Sequence, residues 1–266
     1  HSLCTLEFEH HRPLYDWLVN NLPVPLRPRQ IEFAKLRPTF FLMSKRRLLE
    51  MVTEEYVDGW DDPRMATLSG LRRRGYPPAA IRSLCKTVGV TKFNSVTDVA
   101  LLEHAVREEL NKTAQRRMVV MEPIKVSITN WPSDGHVEMM SAVNNPEDSN
   151  AGRREIALSG EVFIERSDFM EDPPKKYYRL SPGAEVRLRY SYCIRCEEVI
   201  KNDEGDVVEL RCTYDPETLG KNPVDRKVRG AVHWVPANEA FEADVRLYDR
   251  TFLVEDPAAE DDWRDA

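Results

Sequence analysis

A change of hydrophobic period near residue 115 constrains this chain more than any other feature. Before it, apolar residues recur at helical spacing. Pro77-Pro78 opens a segment that places Ile81, Leu84, Cys85 and Val88 at i, i+3, i+4 and i+7, and Gly89 closes it. Ser95, with Asp98 three residues on, is the expected cap of a helix carrying Val99, Leu102, Val106 and Leu110 inward. Thr67 to Arg74 reads as a short helix ended by Gly75. Each apolar stripe is narrow, so the three helices are expected to pack on one another as a small subdomain.

Beyond residue 115 the period falls to two. Ile124, Val126 and Ile128 alternate with Lys125, Ser127 and Thr129. In "EVRLRYSYCIRC", Val186, Leu188, Tyr190, Tyr192 and Ile194 take one face, while Arg187, Arg189 and Arg195 share the other. After the turn "NDEG", Val208, Leu210, Cys212 and Tyr214 point inward, and Val245 with Leu247 repeat the theme. Short antiparallel strands with one solvated face imply barrels or sandwiches, and arginines on that face suit phosphates and unstacked bases.

The first thirty-five residues carry a third pattern. "CTLEF" reads as a strand, "RPLYDWLVNNL" as an amphipathic helix and "RPRQIEF" as a second strand, with "FFLMSKRRLL" following. A strand, a helix, a strand and then a Ser-Lys-Arg loop form the end of a parallel α/β unit, where ligands bind beyond the strands' carboxyl ends. Lys45-Arg46-Arg47 alone is too short for a nucleic-acid patch. It is either the first turn of a solvated helix or a phosphate-handling loop.

Composition narrows the classes. With 266 residues, 41% of them hydrophobic, the chain can build more than one core. No apolar run is long enough for a transmembrane helix, and no secretory segment is present. The chain opens on His1-Ser2-Leu3 inside an alternating stretch, so an excised or trimmed fragment is expected. Five cysteines without framework spacing suit a reducing cytoplasm. The net charge of −7 argues against indiscriminate nucleic-acid binding, yet lysine and arginine cluster along the chain. Much acid is gathered in "EDPAAEDDWRDA", which reads as a solvated tail or as one half of a charge segregation suited to a directional polyanion.

Rival chemistry is weakly supported. Cys193 and Cys196 would lie on opposite strand faces, and no second pair completes a zinc site, so no metal centre is expected. His10-His11 near Cys4 lack an oxyanion hole or orienting partner. Asp61-Asp62 before Pro63 reads as a cap and turn.

The blocks "CTLEFEHHRPLYDW", "RPRQIEF", "MSKRRLL", "DGWDDPRM", "LSGLRRRGY" and "GVTK" together resemble the class I glutaminyl-tRNA synthetases. The resemblance continues through "SGEVFIERSDF", "EVRLRYSYCIRCEEV", "CTYDPETLGKNP" and "HWVPA". It implies an α+β multidomain chain. Residues 1–47 would end a Rossmann-type catalytic domain and 48–115 would form a helical stem-contact subdomain. The antiparallel anticodon-binding barrels would follow, the first from 116–172 and the second from 173–245, with 246–266 returning toward the first.

Activity and site residues follow from the same resemblance. ATP and Mg²⁺ would activate glutamine for transfer to the terminal adenosine of tRNA(Gln), in a cytoplasmic monomer. Met43, Ser44, Lys45 and Arg46 would form the ATP signature loop, with Lys45 the main electrostatic group, Ser44 a hydrogen-bond donor, Arg46 a positioning group, and Met43 with the preceding apolar run anchoring the base. Cys4 and Gln30 would line a glutamine pocket. Arg116, Arg179, Arg187 and Arg189 would meet tRNA at or near the anticodon. The chain departs from the family pattern at His10, usually acidic, at Tyr178, often lysine, and at Gln115, usually proline. The His-Ile-Gly-His signature is not in this sequence, so these residues alone are expected not to adenylate. A glutamyl-specific relative is disfavoured, because a carboxylate substrate calls for a cation in the pocket. A non-catalytic RNA-binding module would have no use for the intact loop.

Overall fold

The strand–helix–strand at the start of the chain forms as a parallel pair. β1 (Ser2–Thr5) lies beside β2 (Gln30–Phe33), with α1 (Arg12–Asn21) between them in sequence. This is seen in a computed structural model that describes residues 1–133 and 135–266. Pro13 sits in the first turn of α1, where its missing N–H leaves no bond unmade. The helix is amphipathic, yet it buries no residue, and Leu14, Trp17 and Leu18 remain exposed.

β3 (Arg37–Pro38) precedes α2 (Lys45–Thr53), α3 (Leu68–Arg73) and α4 (Pro78–Val88), after which β4 (Val96–Thr97) pairs with β3 and leads into α5 (Val99–Thr113). Gly89 closes α4 at a φ of 72°, as the sequence suggests. The cap of α5 is Asp98 rather than Ser95: its Oδ1 accepts from the Ala100 N–H at 2.9 Å. Ser95 lies before β4, three residues ahead of the cap position. Ala80 and Leu84 pack against Leu102 and Val106, but Cys85 faces solvent. α3 stands outside that cluster.

A second cluster joins Leu42, Leu48, Met51, Val57 and Met65 to Phe252 and Trp263. Residues Leu247–Ala266 therefore fold with His1–Lys112, and the other unit is Thr113–Arg246. Of the two readings of the acidic stretch, the solvated tail does not hold: Pro257 and Trp263 are buried within this unit. Asp256 pairs with Arg37 at 2.6 Å and Arg264 pairs with Glu50. Two aromatics eleven positions apart show no period, so sequence patterning misses them.

The second unit holds β5 (Pro123–Ile128), β6 (Glu138–Val143), β7 (Arg153–Leu158), β8 (Glu161–Glu165), β9 (Glu185–Leu188), β10 (Cys193–Lys201), β11 (Val207–Asp215), β12 (Ala231–Val232) and β13 (Trp234–Pro236). β6 and β7 pair separately, and the rest form one sheet in the order β12-β9-β10-β11-β5-β8-β13. β12 and β13 lie at opposite ends of that order, yet only His233 separates them in the chain. One residue spans roughly 7 Å between its neighbours, so the sheet has to curl until its edges nearly meet. Ile124, Val126, Val162, Ile164, Leu188, Leu210 and Trp234 fill the interior.

Three details differ from the sequence reading. Strands from 116–172 and 173–245 share this one sheet rather than forming two, and β11–β5 and β12–β9 are parallel. "EVRLRYSYCIRC" is a hairpin, not one strand, because the chain turns between Leu188 and Tyr192 with Tyr190 at a φ of 67°. A register shift at Ile200/Lys201 leaves Val208 exposed, and Val245 and Leu247 are exposed and form no strand. Among the described residues no helix is long and apolar enough to cross a membrane.

Gly70 is required by close approach: a Cβ there would sit 2.5 Å from the Asp62 carbonyl oxygen and 2.7 Å from that of Met65. Gly70→Ala is expected to destabilise the first unit by about 1–3 kcal/mol in denaturant titration, since backbone rather than a side-chain tip has to shift.

Candidate functional site

Of the apolar run expected to anchor the base of the loop, Leu42 is buried, while Met43 at its end is 52% exposed. Ser44 is extended (φ −83°, ψ 115°) and takes the N-cap position of α2, but its hydroxyl caps nothing. Lys45, Arg46 and Arg47 then form the first helical turn. Arg47 donates to the carbonyls of Pro257 and Ala258 at 3.3 and 3.2 Å. Lys45 and Arg46 are exposed, and neither is paired among the described residues. Cations at a helix N-terminus oppose the macrodipole by typically 0.3–1 kcal/mol each, so this turn is better suited to a helix that receives an anion.

The parallel register sets Ser2 beside Gln30 and Cys4 beside Glu32, so Cys4, Gln30 and Glu32 share one face of the two-stranded sheet. The two proposed pocket residues are thus brought together. Glu32, which sequence reasoning passed over, is 1% exposed. Its Oε1 accepts from Arg12 Nε at 3.1 Å and from Gln30 Nε2 at 2.9 Å, and its Oε2 accepts from Arg12 Nη2. These bonds, that from Arg12 first, hold the Glu32 carboxyl at about 2. Its i, i+2 spacing from Gln30 was the available signal. His10 is exposed in the turn before α1, its ring 4.1 Å from that of His11.

The four arginines are not equivalent. Arg187 donates to the carbonyls of Ser191 and Thr218 at 2.8 and 2.7 Å, to that of Lys221, and to Asn222 Oδ1 at 3.3 Å. It therefore holds a loop in place rather than standing on a wet stripe with Arg189 and Arg195. The hairpin turn breaks that stripe. Arg179 pairs with the buried Asp168 at 2.8 Å and donates to the Ser167 carbonyl at 3.1 Å. Arg116 donates to the Ala114 carbonyl at 3.0 Å. Arg189 is exposed on the turn, its guanidinium 5.3 Å over the Tyr190 ring. Tyr178, where lysine is often found in the resembled family, has the Arg229 guanidinium 5.1 Å over its ring.

Cys193 and Cys196 do not converge. The Cys193 N–H donates to Thr218 Oγ1, whereas Cys196 faces Cys212 across the strands. That thiol contact and burial push the Cys212 thiol up. Asp62 accepts from Arg64 and from the Asp58 N–H, a turn as expected. No cluster of three or more potential metal ligands occurs among the described residues.

Family models match nearly the whole chain in order. One described as "tRNA synthetases class I (E and Q), catalytic domain" matches residues 1–112. Two described as "tRNA synthetases class I (E and Q), anti-codon binding domain" match residues 114–215 and 231–265. The glutamine–tRNA ligase of Bradyrhizobium diazoefficiens is 56% identical over 260 residues, 97% of this chain and 46% of that protein. That of Rhodopirellula baltica is 58% identical over 262 residues, 98% of this chain and 43% of that one. This chain belongs to the class I tRNA synthetases of the E and Q type. It spans a little under half the length of the curated relatives it matches. The synthetase segments and the folding units do not coincide. The last anticodon-binding match begins at β12 and runs into Leu247–Ala266, which pack with the first unit.

Two outcomes follow for this synthetase chain. Arg187→Ala leaves several loop carbonyls without a donor, so it should cost about 2–4 kcal/mol and speed hydrogen exchange at 218–222. Glu32 has a folded pKa below its ordinary 4.5, so its contribution is fully present above that value and fades as pH falls toward about 2. Acid titration should show that loss in the wild type, and the step should be absent in Glu32→Gln.

Proposed function

We propose that this chain is the part of a glutamine–tRNA ligase that carries the ATP signature segment, one wall of the amino-acid pocket and the anticodon-reading sheet. In this reading the whole enzyme activates glutamine with ATP and Mg²⁺, then esterifies it to the terminal adenosine of its tRNA. The observation that carries it is the first turn of α2, with an unbonded Ser44 hydroxyl and exposed, unpaired Lys45 and Arg46 where the helix dipole disfavours cations. Phosphate oxygens supply the negative charge that this turn lacks.

As the glutamine carboxylate attacks the α-phosphorus, charge builds on the phosphate oxygens and on departing pyrophosphate. Lys45 Nζ and the Ser44 hydroxyl stabilise that charge more than they stabilise bound ATP, which is the requirement for raising kcat. Met43, exposed at the turn, contacts the nucleotide side, and Arg46 positions the phosphates. Mg²⁺ neutralises the phosphate oxygens when it enters with ATP. Cys4 and Gln30 present uncharged groups to an uncharged carboxamide.

Arg189 is the arginine best placed to meet RNA, because its guanidinium is exposed and already stacked on Tyr190. Arg116 and Arg179 contribute further positive charge in this reading, and Arg187 fixes the loop at 218–222. The exposed apolar face of α1 suits packing against further strands of a Rossmann-type sheet.

In the complete protein, Lys45→Ala is expected to lower kcat for tRNA charging about 10²–10³-fold with tRNA affinity unchanged. An unchanged rate would overturn the assignment and favour a pure RNA binder. Arg189→Ala should weaken tRNA binding and reduce the slope of log K against log salt by about 1 in filter-binding titrations.

A further inference from the structure

We propose that Cys196 and Cys212 are a redox modification site: an oxidant of the peroxide class converts the two thiols, reversibly, into a disulfide that staples β10 to β11. The site lies wholly within the second unit and is independent of whatever the signature turn of α2 binds.

Cys196 and Cys212 are direct partners in the antiparallel β10–β11 ladder, and both are fully buried. In such a ladder, opposite residues either exchange backbone hydrogen bonds or turn them outward to the flanking segments. Here they turn outward. The Cys196 N–H donates to the Ala184 carbonyl at 3.2 Å, and the Cys196 carbonyl accepts from the Gly183 N–H at 2.8 Å. On the other side the Cys212 carbonyl accepts from the Thr129 N–H at 2.8 Å. A pair of this kind brings its α-carbons to about 4.5 Å, inside the span of roughly 4.4–6.8 Å that a disulfide bridges. The bond therefore closes without moving either strand. Cys193, the third buried cysteine, has Asp215 opposite it and no thiol to join.

Regular pairing of β9 with β10 ends at Arg195, opposite Glu185. Beside Cys196 the neighbour is a loop, 182–184, exposed at Pro182 and Gly183, and β10 itself bulges between Cys196 and Glu198. Displacing that loop opens a path to the thiols at less cost than parting two strands. The Cys212 S–H donates to Cys196 Sγ, which lowers the Cys196 thiol and raises that of Cys212, so Cys196 is the attacking sulfur. It attacks one peroxide oxygen, the O–O bond breaks, and the released hydroxide takes the Cys196 proton to become water. Cys212 then attacks the sulfenic acid at Cys196. The S–O bond breaks as the S–S bond forms, and the second hydroxide leaves with the Cys212 proton as water. Two thiols lose two electrons, and one peroxide becomes two waters. A thiol reductant restores the reduced pair by exchange.

The test treats the folded 266-residue chain with hydrogen peroxide, alkylates the remaining thiols in denaturant and maps the peptides by mass. Exposed Cys85 reports that the oxidant has acted. The expected product is a linked pair of peptides carrying Cys196 and Cys212, lighter by about 2 Da than the two free peptides together and separated again by dithiothreitol. Cys196→Ala and Cys212→Ala should each abolish the link, and Cys193→Ala should retain it. Because a substitution in this core can disturb folding, the wild-type map decides by itself. Oxidised Cys85 alongside free thiols at Cys196 and Cys212 would overturn the proposal. So would a link that runs through Cys193, or one that forms only where denaturant has already unfolded the chain.

Discussion

Phe252 and Trp263 enter the same buried cluster as Leu42, Leu48 and Met51, and the geometry of the Ser44–Lys45 turn depends on that contact. α2 has only two buried residues of its own, too little apolar surface to hold a nine-residue helix at a fixed angle. The two aromatics complete its core from the far end of the sequence, each worth about 1.5–3 kcal/mol on burial. Arg47 bonding to the carbonyls of Pro257 and Ala258, and Arg264 pairing with Glu50, lock the same seam with polar contacts. Of the three cations in the turn, one is thereby committed to structure. The other two stay exposed.

The second unit is governed by closure. With His233 alone between strands at opposite ends of the order, the sheet has to curve around its apolar interior, and Trp234 sits where the curl closes. The indole N–H donates to the Arg189 carbonyl at 2.9 Å, so the residue that seals the interior also ties down the turn bearing an exposed arginine. Arg187 performs the same service for residues 218–222. Bonded and exposed arginines are interleaved along one hairpin, and sequence alternation alone assigned them all to one wet face.

Local chemistry was legible and long-range pairing was not. The parallel β1–β2 pair, the glycine that ends α4 and the alternation of β5 all rest on spacing within a few residues, and each formed as read. The cap of α5 went to Asp98 instead of Ser95 because β4 intervenes, and whether two residues form a strand is decided by the partner, β3, nearly sixty residues earlier. The hairpin in "EVRLRYSYCIRC" was hidden because a turn through Tyr190 carries no glycine, asparagine or aspartate to announce it. Glu32 was missed for a different reason. A glutamate in a strand reads as a solvated position until a distant arginine is seen to bury it.

By itself the sequence determined the kinds of element, their order and the family, because propensity, periodicity and ordered motif blocks are properties of neighbouring residues. It also placed Ser44, Lys45, Cys4 and Gln30 as the residues to watch. Only the tertiary structure decided that the acidic end of the chain packs with the first unit, that the strands share one curling sheet, and that Arg187 holds a loop while Arg189 stays exposed. Those outcomes depend on which surfaces meet after the chain has doubled back, and burial and ion pairing between residues far apart in sequence leave no local mark.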